Sequence, residues 1–144
     1  MSLTNFQIED FLTEHEVDFR AAPADESEQF KKQWLLTYVP RVKKETGEWI
    51  HNRFRWHAFS YGYQSATTGT EALIAYQRQW QASYVIFDEE DSWTYFCSSK
   101  KYPDFSSLRA DIYVAHHNMK WTMVFTHEQP DIGPYLALKP KNLE

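Results

Sequence analysis

A single cysteine, Cys97, among 144 residues leaves no partner for an internal disulfide and no thiolate set for a zinc site. Glycine is nearly as scarce. There are four, none spaced as a phosphate-binding loop, and neither a G-x-S-x-G elbow nor a cofactor fingerprint occurs. No run approaches the roughly 18 apolar residues of a membrane-spanning helix. The opening MSLTNFQIEDF has neither the basic stretch nor the apolar stretch of a signal peptide. A soluble, cytoplasmic protein with no cofactor, no metal and no membrane partner is expected. Basic charge is also short: 15 Lys and Arg against 20 Asp and Glu give a net charge of −5. That balance argues against nucleic acid as a partner.

What the chain has in excess is aromatic side chains, 17% of residues, with 6 Trp, 9 Tyr and 10 Phe. Large flat side chains stabilise a small core efficiently, and Trp and Tyr are also favoured at protein interfaces. An apolar fraction of 42% and a charged fraction of 24% are those of a folded globular chain. With no linker or repeat in view, residues 1–144 read as one domain.

Charge is unevenly placed. Residues 1–30 hold eight acids and one base, Arg20, for −7; residues 31–60 hold seven bases and two acids, for +5. Either the two blocks face one another or are simply solvated, or the acidic block meets a basic partner and steers the encounter.

Periodicity and capping give the elements. Thr4 and Gln7 form a capping box for a helix over 5–16, with Ile8, Phe11, Leu12 and His15 on one stripe. DFRAAPADES reads as a connector. A second helix follows over 26–38, with Phe30, Trp34, Leu35 and Tyr38 inward, and Pro40 stops it. RFRWHAFSY alternates as a strand, GYQSATTG as a loop, and Thr68 with Glu71 opens a helix over 70–80 in which Leu73, Tyr76 and Trp80 face a core. Two hairpins follow, ASYVIFDEEDSWTYFCSS and RADIYVAHHNMKWTMVFT, separated by a surface loop, SKKYPDFSS; GPYLALK adds a short last strand. The expected fold is α+β: an antiparallel β-sheet of about five strands, with three helices packed mainly on one face.

In the second hairpin, cross-strand partners sum to 237. Ile112 then opposes Phe125, Val114 opposes Met123 and His116 opposes Trp121 on the more apolar face, which is taken as the core side. The same arithmetic separates His116 from His127 by roughly 20 Å along the strand, too far for one metal. His116 and His117, as strand neighbours, point to opposite faces. HEQPD lacks the second histidine of a zinc-protease helix, and Pro130 interrupts any helix there.

His127-Glu128 is the candidate catalytic pair, since a histidine beside a carboxylate is the commonest general base. Against that, extended neighbours diverge, so Glu128 is poorly placed to orient His127. The preferred reading is a strand exit, in which Thr126, His127 and Glu128 hydrogen-bond the backbone of QPDIGPY as it leaves the sheet. Arg53, Arg55 and His57 alternate with Phe54 and Trp56, so the basic and aromatic faces of that strand do not form one nucleic-acid platform. They are expected to pair with the acids of the first two helices. Cys97 precedes Lys100 and Lys101, which would lower a nearby thiol, but a buried and inert cysteine is the commoner outcome.

The pattern W-T-x-x-x-T-H-E followed by G-P-Y over residues 121–135, together with FRWHAF and EALIAYQRQ, resembles small bacterial families of unknown function of about this length. The resemblance implies an α+β domain with no assigned activity. Some similar small acidic proteins are immunity proteins that hold and neutralise a toxin. Two functions follow as expectations. The first is a protein-binding module of the immunity or antitoxin type, with a toxin-like or basic protein partner. The alternative is an enzyme or small-ligand binder with a pocket near His127 and Glu128, joined to residues such as His57, Tyr135 or Arg55. The candidate binding residues are Arg55, Trp56, His57 and Tyr135.

Overall fold

The computed structural model describes residues 3–38, 59 and 65–140. The first helix, α1 (Asn5–Glu14), starts on the capping box its sequence announces. Thr4 Oγ1 accepts from the Gln7 N–H at 3.1 Å, while the Thr4 N–H donates to Gln7 Oε1 at 2.8 Å. Its buried stripe is Ile8, Phe11 and Leu12. His15 lies outside that stripe; it caps the helix end, stacked on Phe11 with ring centroids 3.9 Å apart. The next helix, α2 (Ala24–Tyr38), buries Trp34 and Tyr38. The third, α3 (Gly69–Gln77), buries Ala72 and Tyr76.

Among the described residues, seven strands, not about five, form one antiparallel sheet. They are β1 (Asp18–Ala21), β2 (Thr67–Thr68), β3 (Tyr84–Asp88), β4 (Thr94–Ser98), β5 (Ile112–His116), β6 (Trp121–Phe125) and β7 (Tyr135–Leu138), in the order β1-β4-β3-β5-β6-β7-β2. The two unexpected strands are the edges. Asp18–Ala21 pairs along β4 from Asp18↔Ser98 to Ala21↔Tyr95, inside the stretch read as a connector. Thr67 and Thr68 pair with Leu136 and Tyr135, inside the stretch read as a loop. Strands of four and two residues with largely exposed side chains carry no alternating pattern, so only tertiary pairing makes them strands. The expected strand RFRWHAFSY lies outside the described residues except Phe59, where the backbone is helical and the ring buried.

The hairpin arithmetic holds through β5 and β6: Ile112↔Phe125, Tyr113↔Val124, Val114↔Met123 and Ala115↔Thr122. What fails is the one-sided core. Ile112, Val114, Met123 and Phe125 pack with Ile8, Phe11, Leu12, Ala72 and Tyr76, which places α1 and α3 on that face. Tyr113, Ala115, Val124 and Phe87 pack with Trp34 and Tyr38, which places α2 on the other. The helices therefore cover both faces, and every residue of β3, β5 and β6 is buried. This is where the aromatic excess goes. Trp34 sits 5.1 Å from Tyr113 and donates its Nε1–H to Thr122 Oγ1 at 2.8 Å. The loop expected at the surface, residues 99–107, adds Tyr102 and Phe105 to the α1/α3 side.

Candidate functional site

After β6 the chain does not continue extended: residues 127–131 turn. Thr126, itself buried, ties the turn together. Its hydroxyl donates to the carbonyl of Ile132, its N–H donates to Gln129 Oε1 at 2.9 Å, and its Oγ1 accepts from the Glu128 N–H at 3.3 Å. Gly133 closes against it at φ +87°, where a Cβ would stand 2.9 Å from Thr126 Cγ2. The peptide bonds Gln129–Pro130 and Gly133–Pro134 are both cis. Thr126 thus does what the strand-exit reading assigns to it.

His127 and Glu128 do something else. The His127 N–H donates to Asp111 Oδ1 at 2.9 Å, and its Nδ1 lies 2.9 and 3.0 Å from the two Asp111 oxygens. Its Nε2 lies 3.2 Å from Glu128 Oε2. The expectation that Glu128 is badly placed beside His127 is overturned, because the divergence of neighbours belongs to extended chain and this chain turns. Asp111 was not recognised from sequence as a partner, although the register puts it across from Thr126, one position from His127. With a carboxylate against each ring nitrogen, the orientation of the ring is fixed from both sides. The Asp111 side chain is 9% exposed and that of His127 30%, so the orienting group is buried and the oriented group reaches the surface. Beside it runs a groove of about 270 Å³ whose lining includes Ser106, Arg109, His127 and Gln129.

Tyr135 is buried on the α2 face, its ring centroid 5.9 Å from that of Phe59. Burial, and then the charge of Glu128, push its phenol up. Tyr135 is therefore brought close to the His127 loop, whereas Arg55, Trp56 and His57 lie outside the described residues. Cys97 is buried, and burial pushes its thiol up to about 12, so the two lysines that follow it do not activate it. His116 and His117 do not diverge; their rings stack at 4.3 Å, because the strand ends at His116 and the turn begins.

One residue was misassigned and is prominent in the structure. Trp80 was expected in a helical core position, but α3 ends at Gln77 and Trp80 lies beyond it, where the helical period no longer applies. Its side chain is 93% exposed, while Trp34, Trp93 and Trp121 are all buried. Its backbone is held: the Trp80 carbonyl accepts from Tyr102 Oη at 2.6 Å. The neighbouring Gln81 lines a depression with Glu16, Asp18, Lys100 and Lys101.

The chain belongs to the family described as Domain of unknown function (DUF4275), whose model matches residues 6–136. No curated protein and no solved structure matches the chain.

Proposed function

We propose that the chain is a protein-binding module that holds a partner protein, in the manner of an immunity or antitoxin-type inhibitor, with Trp80 as its anchor. The observation that carries this reading is the 93% exposure of Trp80 in a fold that buries its other described tryptophans. Interface energy concentrates in a few aromatic anchors, Trp above all, surrounded by polar side chains that exclude water once the partner docks. The fixed carbonyl of Trp80 holds the backbone in place, which lowers the ordering cost of binding. Aromatic abundance itself no longer supports the reading, because most of it lies in the two cores. The test is capture from native lysate by tagged wild type and Trp80→Ala at equal expression. A stoichiometric protein held by wild type and lost from Trp80→Ala supports the module, and identical captures from both contradict it.

A second reading rests on His127, held between Asp111 and Glu128 beside its groove, which suits a charged polar group in a small-ligand site. A small-molecule thermal-shift screen of wild type and His127→Ala separates the two. Hits that depend on His127 favour the ligand site, and hits shared by both variants, or none, remove it.

A further inference from the structure

The net charge of the chain misstates the charge that surrounds Trp80. The antiparallel register assigns each loop to one end of the sheet. Tyr84 of β3 pairs with Cys97 and His116, so the segments at 80–83, 98–101 and 116–120 share one end, joined there by the end of β7. Hydrogen bonds stitch these segments into a continuous belt: Gln81 Nε2 to the Ser99 carbonyl at 3.1 Å, the His117 N–H to the Ser83 carbonyl at 3.2 Å, and the Lys139 N–H to the Lys120 carbonyl at 2.9 Å. Four exposed lysines stand on it, Lys100, Lys101, Lys120 and Lys139, and none makes an ion pair among the described residues. Glu16 and Asp18 share the depression with Lys100 and Lys101, and Glu14 ends α1 beside them, so four lysines face three acids at this end. Leu138, 62% exposed, adds a second apolar side chain at this end. The opposite end carries Glu89, Glu90, Asp91, Asp111, Glu128 and Asp131. There Lys31 pairs with Asp91 and His127 lies against Asp111 and Glu128, so the Trp80 end is distinguished by exposed lysines that make no ion pair among the described residues.

We infer that the Trp80 end docks a protein surface that is acidic and offers apolar pockets for Trp80 and Leu138, the reverse of the basic partner expected for the acidic block of residues 1–30. This rests on the protein-binding reading above and adds the chemistry of the partner. Exposed lysines around an apolar anchor attract and orient an acidic surface while leaving most of the affinity to the anchor. A nucleic acid fits less well. One tryptophan gives no run of stacking faces, Leu138 has no π-face, and Glu16 and Asp18 repel phosphates.

The test is an amide-resolved NMR titration of the full chain with a short amphipathic peptide of glutamate and leucine, against a lysine and leucine counterpart and a short oligothymidylate. The inference expects saturable shifts at Trp80, Lys100, Lys101, Lys120 and Leu138 with the acidic peptide. Affinity should fall about tenfold in Lys100→Glu/Lys101→Glu and about tenfold in Trp80→Ala, and weaken as salt rises. Binding that Trp80→Ala abolishes but charge reversal leaves unchanged overturns the acidic partner and keeps the module. Binding that charge reversal abolishes but Trp80→Ala leaves unchanged overturns the anchor. Oligothymidylate in place of the peptide, concentration-dependent self-association through the acidic end, or no saturable shift at this end each overturns the inference.

Discussion

Asp88 closes β3 with a carboxylate that is 3% exposed. Its Oδ1 accepts from the N–H groups of Ser92 and Trp93 at 2.8 and 3.3 Å, which shapes the β3–β4 turn, but Oδ2 has no hydrogen-bond partner among the described residues. Burial pushes this carboxyl up, against the opposing pull of the two N–H donors and of Lys31. A raised carboxyl favours the folded state below the pKa of the unfolded chain, and that advantage is lost as pH rises through the folded pKa. At neutral pH the buried charge is therefore a cost. Asp88→Asn, which keeps an oxygen for the two N–H groups, is expected to raise the melting temperature at pH 7 and to change it little near pH 4. A variant less stable than wild type at pH 7 would show that the charge itself is needed. No sequence signal singles out Asp88 among the acids of DEED, because what distinguishes it is tertiary: it pairs with Ile112 of β5 and lines a small pocket with Leu3 and Trp93. The Thr4–Gln7 box, a purely local device, was fully legible.

Elements were legible wherever their pattern was their own. Both hairpins, the register of β5 with β6, and the three helices follow from alternation and period, with a formed cap at α1 alone among those expected. The Thr68 side chain, read as opening α3, makes no capping hydrogen bond. The edge strands β1 and β2 were not, since they are short and acquire their conformation from β4 and β7. The exit after β6 was half legible. Its turn residues were visible, but the use of Asp111 by His127 depends on how that turn folds back over β5. The tie between α2 and the sheet is the most exposed to a single change. Trp34 Nε1 donates to Thr122 Oγ1, which itself donates to the Val114 carbonyl at 3.0 Å, all in a buried layer. Thr122→Val keeps the shape and leaves the indole N–H without its acceptor, at a cost of about 1–3 kcal/mol. Urea unfolding is expected to show a lower midpoint with an unchanged slope. A midpoint equal to wild type would mean that this hydrogen bond does not secure α2.

At the scale of the whole molecule, the consequential misreading was to place the core and the helices mainly on one face of the sheet. The second face of β5 and β6 carries Tyr113, Ala115, Thr122 and Val124, less apolar than the first, yet α2 covers it with Trp34 and Tyr38. Once both faces are covered, the aromatic excess is accounted for by two cores, and a fully exposed tryptophan stands out against it. The measurement that tests the account most directly is a titration of the captured partner protein into wild type and Trp80→Ala, with the melting temperature of each recorded beside it. An exposed side chain away from the core contributes within about 0.5 kcal/mol to stability, so the two proteins are expected to melt together while the variant binds at least about tenfold more weakly. Equal affinities would contradict the central claim that Trp80 is where this protein holds its partner.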